Sequence, residues 1–204
     1  MARTSDAKER LLASALELFS ERSYANVGVQ ELCEHAGVKK GSFYYFFKSK
    51  QDLMLEALEH QSRAIGRMIL TPAFCSNLPP LERIERLFHL TYEFQKAMKE
   101  KTGRVRGCFF GNLALELSTQ DESIRHRLDR IFRTAITSIE KTVQDAVSAG
   151  DLADIDVAAT AEAILAYWEG VIMLAKVRND PGLLKDLAKG AKELAITETK
   201  DTAG

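Results

Sequence analysis

The sequence is sparing with the residues that usually carry chemistry: three cysteines, four histidines, four prolines and one tryptophan in 204 residues. Cys33, Cys75 and Cys108 are odd in number and lack CxxC spacing. That argues against a disulfide framework and a cysteine-built zinc site, and fits a reducing cytosol. There is no HExxH and no GxxxxGK[ST], so zinc-protease and P-loop chemistry have no signature, and no cofactor is expected. The opening MARTSDAKER is polar, so no signal peptide is read there. One later stretch, VAATAEAILAYWEGVIMLAKV, is long enough to cross a bilayer. It carries Glu162 and Glu169, so no membrane partner is expected and the protein is read as cytoplasmic.

What is present is a core and a local charge imbalance. Hydrophobic residues make up 46% of the chain and charged ones 28%, which suits a soluble globular protein. Net charge is −1, so the whole chain is no polycation. Residues 1–50 hold 8 Lys+Arg against 6 Asp+Glu, a net of +2, which leaves 20 against 23, a net of −3, in the rest. Any anion-binding surface must therefore be local.

Periodicity predicts an all-α chain of about nine helices. Asp6 and Glu9 read as a capping box ahead of Leu11, Leu12, Ala15, Leu18 and Phe19, a helix to about Arg22. Val29, Leu32, Cys33 and Ala36 predict a short second helix ended by Gly37. A third runs from near Lys39 to Phe46. Ser49 and Asp52 cap a fourth, whose stripe reaches Met68. Prolines at 72, 79 and 80 predict a loop between Leu70 and Pro80. Further helices are expected from there to about Lys99, over Val105–Leu117, from a Thr119/Glu122 cap to Gly150, from Asp156 to Arg178, and from Pro181 onward. The domains read as 1–50, 51–196 and a polar, disordered tail at 197–204.

The helix over 156–178 is apolar on two sides. Val157, Ala161, Ile164, Leu165, Trp168, Ile172 and Ala175 make one stripe; Ala159, Ala163, Tyr167, Gly170, Leu174 and Val177 make another. Such a helix must be covered twice. It is either the centre of a bundle or packs its second face on another subunit. Its place near the end of the chain favours the subunit.

The segment KKGSFYYFFKSK, Lys39–Lys50, holds four lysines and five aromatics with no acid, in a chain with only ten Phe, five Tyr and one Trp. The second and third helices around Gly37-Val38 have the size of a helix-turn-helix. Phe43 and Phe47 point to a core, with Phe46 partly buried. Tyr44 and Tyr45 are left outward, where hydroxyls and rings can meet phosphate, sugar or a thymine methyl. Lys39 and Lys40 lie at the end that a recognition helix points at bases. Lys48 and Lys50 flank a helix N-terminus suited to phosphate. Gly41 permits close approach, and Ser42 can bond base or phosphate. The competing reading of the segment is a solvated lysine face over core rings, and a reading of the chain from another class is a helical enzyme with an incidental basic hairpin.

Residues 15–53, ALELFSERSYANVGVQELCEHAGVKKGSFYYFFKSKQDL, resemble the DNA-binding domain of TetR-family transcriptional repressors. Phe19, Tyr24, Val29, Leu32, Ala36-Gly37-Val38, Gly41, Phe43-Tyr44, Phe47, Lys50 and Leu53 carry the likeness. Val27-Gly28 replaces the hydroxyl residue often found ahead of the second helix, which leaves the Gly28 backbone N–H for a phosphate contact. The resemblance implies a homodimer joined by the last two helices, a double-stranded operator with inverted-repeat half-sites, and a small-molecule effector pocket in the C-terminal part. Phe88, Tyr92, Phe109, Asn112, Glu116 and Trp168 are the candidate lining residues.

The segment GCFFGNLALELS, Gly107–Ser118, resembles a motif of a subgroup that includes the N-ethylmaleimide reductase repressor, a regulator of electrophile detoxification. Cys108 and Lys176 fall where that repressor has a sensing cysteine and a nearby lysine. Cys108, Asn112 and Glu116 would share one helix face. A thiol near a lysine can be reactive, while a small apolar core cysteine is the commoner case. The chain is thus expected to be a ligand-responsive transcriptional repressor that catalyses nothing. The alternatives are a regulator acting by cysteine modification and one without any effector.

Overall fold

The structure is a computed structural model that describes residues 2–75, 77–153 and 155–197. Among these residues all regular structure is helical. The order is α1 (Ala2–Glu21), a 3-10 turn (Tyr24–Asn26), α2 (Val29–Ala36), α3 (Lys40–Phe46), α4 (Lys50–Ile65) and a π turn (Gly66–Leu70). There follow α5 (Thr71–Phe74), α6 (Pro80–Thr102), α7 (Phe109–Leu117), α8 (Glu122–Ala149), α9 (Val157–Arg178), α10 (Leu183–Asp186) and α11 (Ala188–Thr197). Nine of these helices have seven or more residues, and α5 and α10 are single turns. The expected tail lies, from residue 198, outside the described residues.

The chain forms two compact units, Met1–Ala64 with Phe109–Arg130, and Ile65–Cys108 with Ile131–Gly204. The boundary expected at residue 50 does not coincide with them, because α4 stays with the helix-turn-helix and 109–130 joins it.

In the first unit α1, α2 and α3 pack on one another. Leu11, Ala15 and Phe19 of α1 meet Leu32, Cys33 and Ala36 of α2 in the core, with Phe43 and Phe47 at 0% and 1% exposure. Burying each of those rings contributes about 1.5–3 kcal/mol. Gly37 ends α2 at φ 63, where its amide reaches the Cys33 and Glu34 carbonyls. α4 opens on a reciprocal cap: Asp52 N–H donates to Ser49 Oγ at 3.0 Å, and Lys48 N–H donates to Asp52 Oδ2 at 3.0 Å. Two expected caps move. α1 begins at Ala2, so Asp6 lies inside it and pairs with Arg10 one turn on. α8 is capped not by Thr119 but by Asp121, whose Oδ1 accepts from Ile124 N–H at 3.0 Å.

The second unit is organised around α6, α9, α11 and the later part of α8, with Ile84, Phe88, Ile139, Val143, Ile164, Trp168 and Ile172 in its core. The loop expected from Leu70 is shorter than predicted. The π turn carries the helix on through Thr71 and Pro72 into α5. The helix expected from Val105 starts only at Phe109. Gly103 and Gly107 both take φ 78, and side chains claim the intervening backbone. Val105 N–H donates to Asn179 Oδ1 at 2.8 Å, which competes with helix hydrogen bonding. Cys108 is therefore outside α7, not on its face.

α9 buries Ala161, Ile164, Trp168, Ile172 and Ala175. Of the second stripe predicted, Ala159 and Val177 are exposed, and Ala163, Tyr167, Gly170 and Leu174 are half-buried. The Tyr167 hydroxyl donates to the Leu187 carbonyl at 3.0 Å and its ring lies 5.9 Å from Phe88, so it serves its own unit. The outward stripe is Ala159, Glu162, Ala166, Met173 and Val177, all exposed. The helix expected from Pro181 is split into α10 and α11 at Leu187, whose carbonyl accepts that tyrosine hydroxyl.

Candidate nucleic-acid interface and thiol site

Most of the candidate contact residues of the helix-turn-helix are turned outward. Gly28, Lys39, Lys40, Gly41 and Lys48 are exposed and Ser42 is half-buried. Tyr44 and Tyr45 are 55% and 75% exposed, the reverse of Phe43 and Phe47. Tyr44 rests edge-on against Phe43 at 5.2 Å and Tyr45 against Phe46 at 4.8 Å. The rings are thus anchored at one side and offered at the other. Among the described residues no ion pair engages Lys39, Lys40 or Lys48. Three free ammonium groups beside two supported tyrosines suit a phosphate backbone and its sugars.

Lys50 does something else. Its Nζ donates to the Tyr24 and Val27 carbonyls at 2.9 and 3.0 Å and sits 4.1 Å from the Tyr24 ring centre. Burial lowers its pKa, partly offset by the Glu116 charge. Glu116 is the matching acid. Its Oε2 accepts from Tyr24 N–H and its Oε1 from Ala25 N–H, both at 3.1 Å. Both Glu116 carboxylate oxygens are thus engaged at this turn. Asp121 Oδ2 accepts from Gln51 Nε2 at 2.6 Å beside it. Burial, with Asp121 and Glu116 nearby, pushes the Tyr24 phenol upward.

The expected pocket residues divide between the units. Phe109 and Asn112 belong with Glu116 to the first; Phe88, Tyr92, Cys108 and Trp168 belong to the second. There Phe88 and Trp168 share a core against which Tyr92 and Cys108 pack. Trp168 Nε1 donates to Thr91 Oγ1 at 3.1 Å. A separate surface groove of about 440 Å³ is lined by His89 and by charged side chains including Glu82, Arg86, Lys185 and Lys192.

Cys108 is half-buried, whereas Cys33 is core and Cys75 is exposed. The Cys108 thiol hydrogen-bonds the Glu169 carboxyl. Burial holds Glu169 above the usual carboxylate range, and the cysteine bond offsets part of that. The preceding residue is pinned: Gln95 Nε2 donates to the Gly107 carbonyl at 2.9 Å. The Lys176 stem covers Gly107 so closely that an added Cβ would lie 2.8 Å from its Cδ. The thiol therefore has a proton acceptor as its bonded partner, a fixed neighbour and a cation's stem one residue away. Sequence reasoning named Cys108 and Lys176 but missed Glu169 and Gln95. An acid within an otherwise apolar helix was the available signal for Glu169.

Comparison with known proteins gives these features a context. The family described as "Bacterial regulatory proteins, tetR family" matches residues 11–57. The "Tetracyclin repressor-like, C-terminal domain" matches residues 80–190. The transcriptional regulator AcuR of Cereibacter sphaeroides is 32% identical, over 96% of this chain and 88% of that protein. The crystal structure of a regulatory protein TetR from Rhodobacter sphaeroides is 31% identical, with a TM-score of 0.80 over 93% of this chain and 99% of that one. The reduced form of Escherichia coli NemR is 27% identical, with a TM-score of 0.79 over 94% and 99%.

Proposed function

Because the chain belongs to the tetR family of bacterial regulatory proteins, and is a DNA-binding transcriptional regulator rather than an enzyme, we propose that it is a dimeric repressor. It holds an inverted-repeat operator in the cytoplasm and is released by a small electrophile that reacts with Cys108. The observation that carries this reading is the Cys108–Glu169 hydrogen bond beside the pinned Gly107.

The chemistry is conjugate addition. Sulfur bonds the β-carbon of an unsaturated aldehyde or quinone, the π bond breaks, and its electrons reach the carbonyl oxygen. The thiol proton passes to Glu169 and returns to the adduct through solvent, so no oxidant is consumed. Thiolate, not thiol, is the nucleophile, so Glu169 serves as the general base that takes the proton as the carbon–sulfur bond forms. Reversible ligands must discriminate between two shapes by about 10⁴-fold to drive them from one extreme to the other. A covalent bond meets that demand by not leaving. The relative NemR has a form named as reduced, which supports testing thiol state here.

Dimerisation is supported by the exposed stripe on α9, where Met173 and Val177 are 53% and 77% exposed. The reading heads are supported by Lys39, Lys40, Lys48, Tyr44 and Tyr45. The test is a duplex selected by the protein from random DNA. It should be an inverted repeat, be bound with a steep salt dependence, and be released by acrolein or p-benzoquinone. Binding that persists after either reagent leaves a regulator without this effector class.

A further inference from the structure

The connection between α1 and α2 has no cap of its own. Ser23 supplies no side-chain hydrogen bond to the 3-10 turn, and Gly28 has no side chain to supply one to α2. The first N–H groups of a helical turn are nonetheless strong donors in need of acceptors. Here the acceptor comes from far along the chain. Glu116 takes the Tyr24 and Ala25 N–H groups while Lys50 takes the Tyr24 and Val27 carbonyls. One short turn is thus held on its donor side by α7 and on its acceptor side by α4. That turn leads straight into Gly28 and α2, so its placement sets where the helix-turn-helix begins.

We propose that Glu116 is the positioning residue by which α7 holds the turn before α2 in its operator-binding form, and through which a change at Cys108 reaches the DNA-reading helices. α7 begins at Phe109, one residue after Cys108. Eight residues of helix carry a displacement about 12 Å, at 1.5 Å per residue. A shift or rotation of α7 moves the carboxylate away from two fixed N–H groups. The turn then relaxes to water, because Ala25 is exposed and Tyr24 half-buried. Losing the clamp therefore costs little stability but much positional definition. The operator effect rests on the DNA-binding reading, and the signal half rests on the Cys108 reading.

The test compares wild type, Glu116→Ala and Glu116→Gln on the selected duplex, before and after p-benzoquinone. Untreated Glu116→Ala should bind about ten-fold more weakly, with thermal unfolding and dimer content close to wild type. Glu116→Gln keeps one carbonyl acceptor and should fall between. The salt slope should not change, because Glu116 touches no phosphate. The decisive quantity is the ratio of affinities before and after treatment. It should be large in wild type and about ten-fold smaller in Glu116→Ala, which has already lost the part of the signal that runs through the clamp. An unchanged untreated affinity, or a wild-type ratio in Glu116→Ala, overturns the proposal. If quinone fails to release wild type, the Cys108 reading fails instead, and the untreated affinities still decide whether Glu116 positions the turn.

Discussion

Gln95 bonds both main-chain polar groups of Gly107: its Nε2 donates to the carbonyl at 2.9 Å, and its Oε1 accepts from the amide at 3.3 Å. Gln95 is 2% exposed, so the pair is made away from water. Gln95→Leu leaves a buried donor and acceptor unpaired and should destabilise the protein by about 1–3 kcal/mol per group. Urea unfolding measures this. The same variant should lose its preference for alkylation at Cys108, since the residue before the thiol is no longer fixed.

Glu169 should be a stability liability kept for reactivity. Burial raises its pKa above the ordinary 4.5. A group with a raised folded pKa holds its proton more tightly when folded. It therefore destabilises the fold as pH rises past the unfolded value, and the full penalty is present once pH exceeds the folded value. Glu169→Gln should raise Tm at neutral pH, by about 2–4 °C per kcal/mol relieved. The gain should vanish in acid, below both values. Alkylation of Cys108 should slow in the same variant. A Tm gain equal at all pH values would remove burial of the charge as its cause.

Lys48 and Lys50, two residues apart, should behave differently on DNA. The Lys48 side chain is exposed and makes no ion pair among the described residues, and Lys48→Ala should flatten the salt dependence by about one unit of slope. Lys50→Ala should weaken binding with the slope unchanged, because its ammonium bonds the Tyr24 and Val27 carbonyls. Anisotropy titrations over a range of salt separate the two. A slope change in Lys50→Ala would return it to the phosphate contacts.

Assembly should depend on Met173 and Val177, both exposed on α9. Met173→Arg or Val177→Arg should give folded monomers in sedimentation. Tyr167→Ala should instead destabilise the chain, since Tyr167 bonds Leu187 and packs on Phe88. A folded Val177→Arg dimer would take this stripe out of the interface.

Local features were legible in the sequence, and long-range ones were not. The bounds of α2 follow from its apolar spacing and Gly37, and the inward Phe43 and Phe47 follow from their four-residue interval. Lys50 and Glu116 could not be read, because their backbone partners lie 23–26 and 91–92 residues away. Spacing gave α9 two apolar faces without saying which one Tyr167 would serve. The late start of α7 was hidden because Asn179 and Gln95 satisfy the backbone of 103–108 from outside that segment.

The central claim is that Cys108 carries the signal, and one paired measurement tests it: operator release and adduct mapping on the same p-benzoquinone-treated sample. Wild type, Cys33→Ser and Cys75→Ser should release, with the adduct on Cys108 appearing in step with the loss of binding. Cys108→Ser should stay bound under the same treatment. Release that persists in Cys108→Ser, or a stoichiometric Cys108 adduct on protein still holding its operator, would contradict the account.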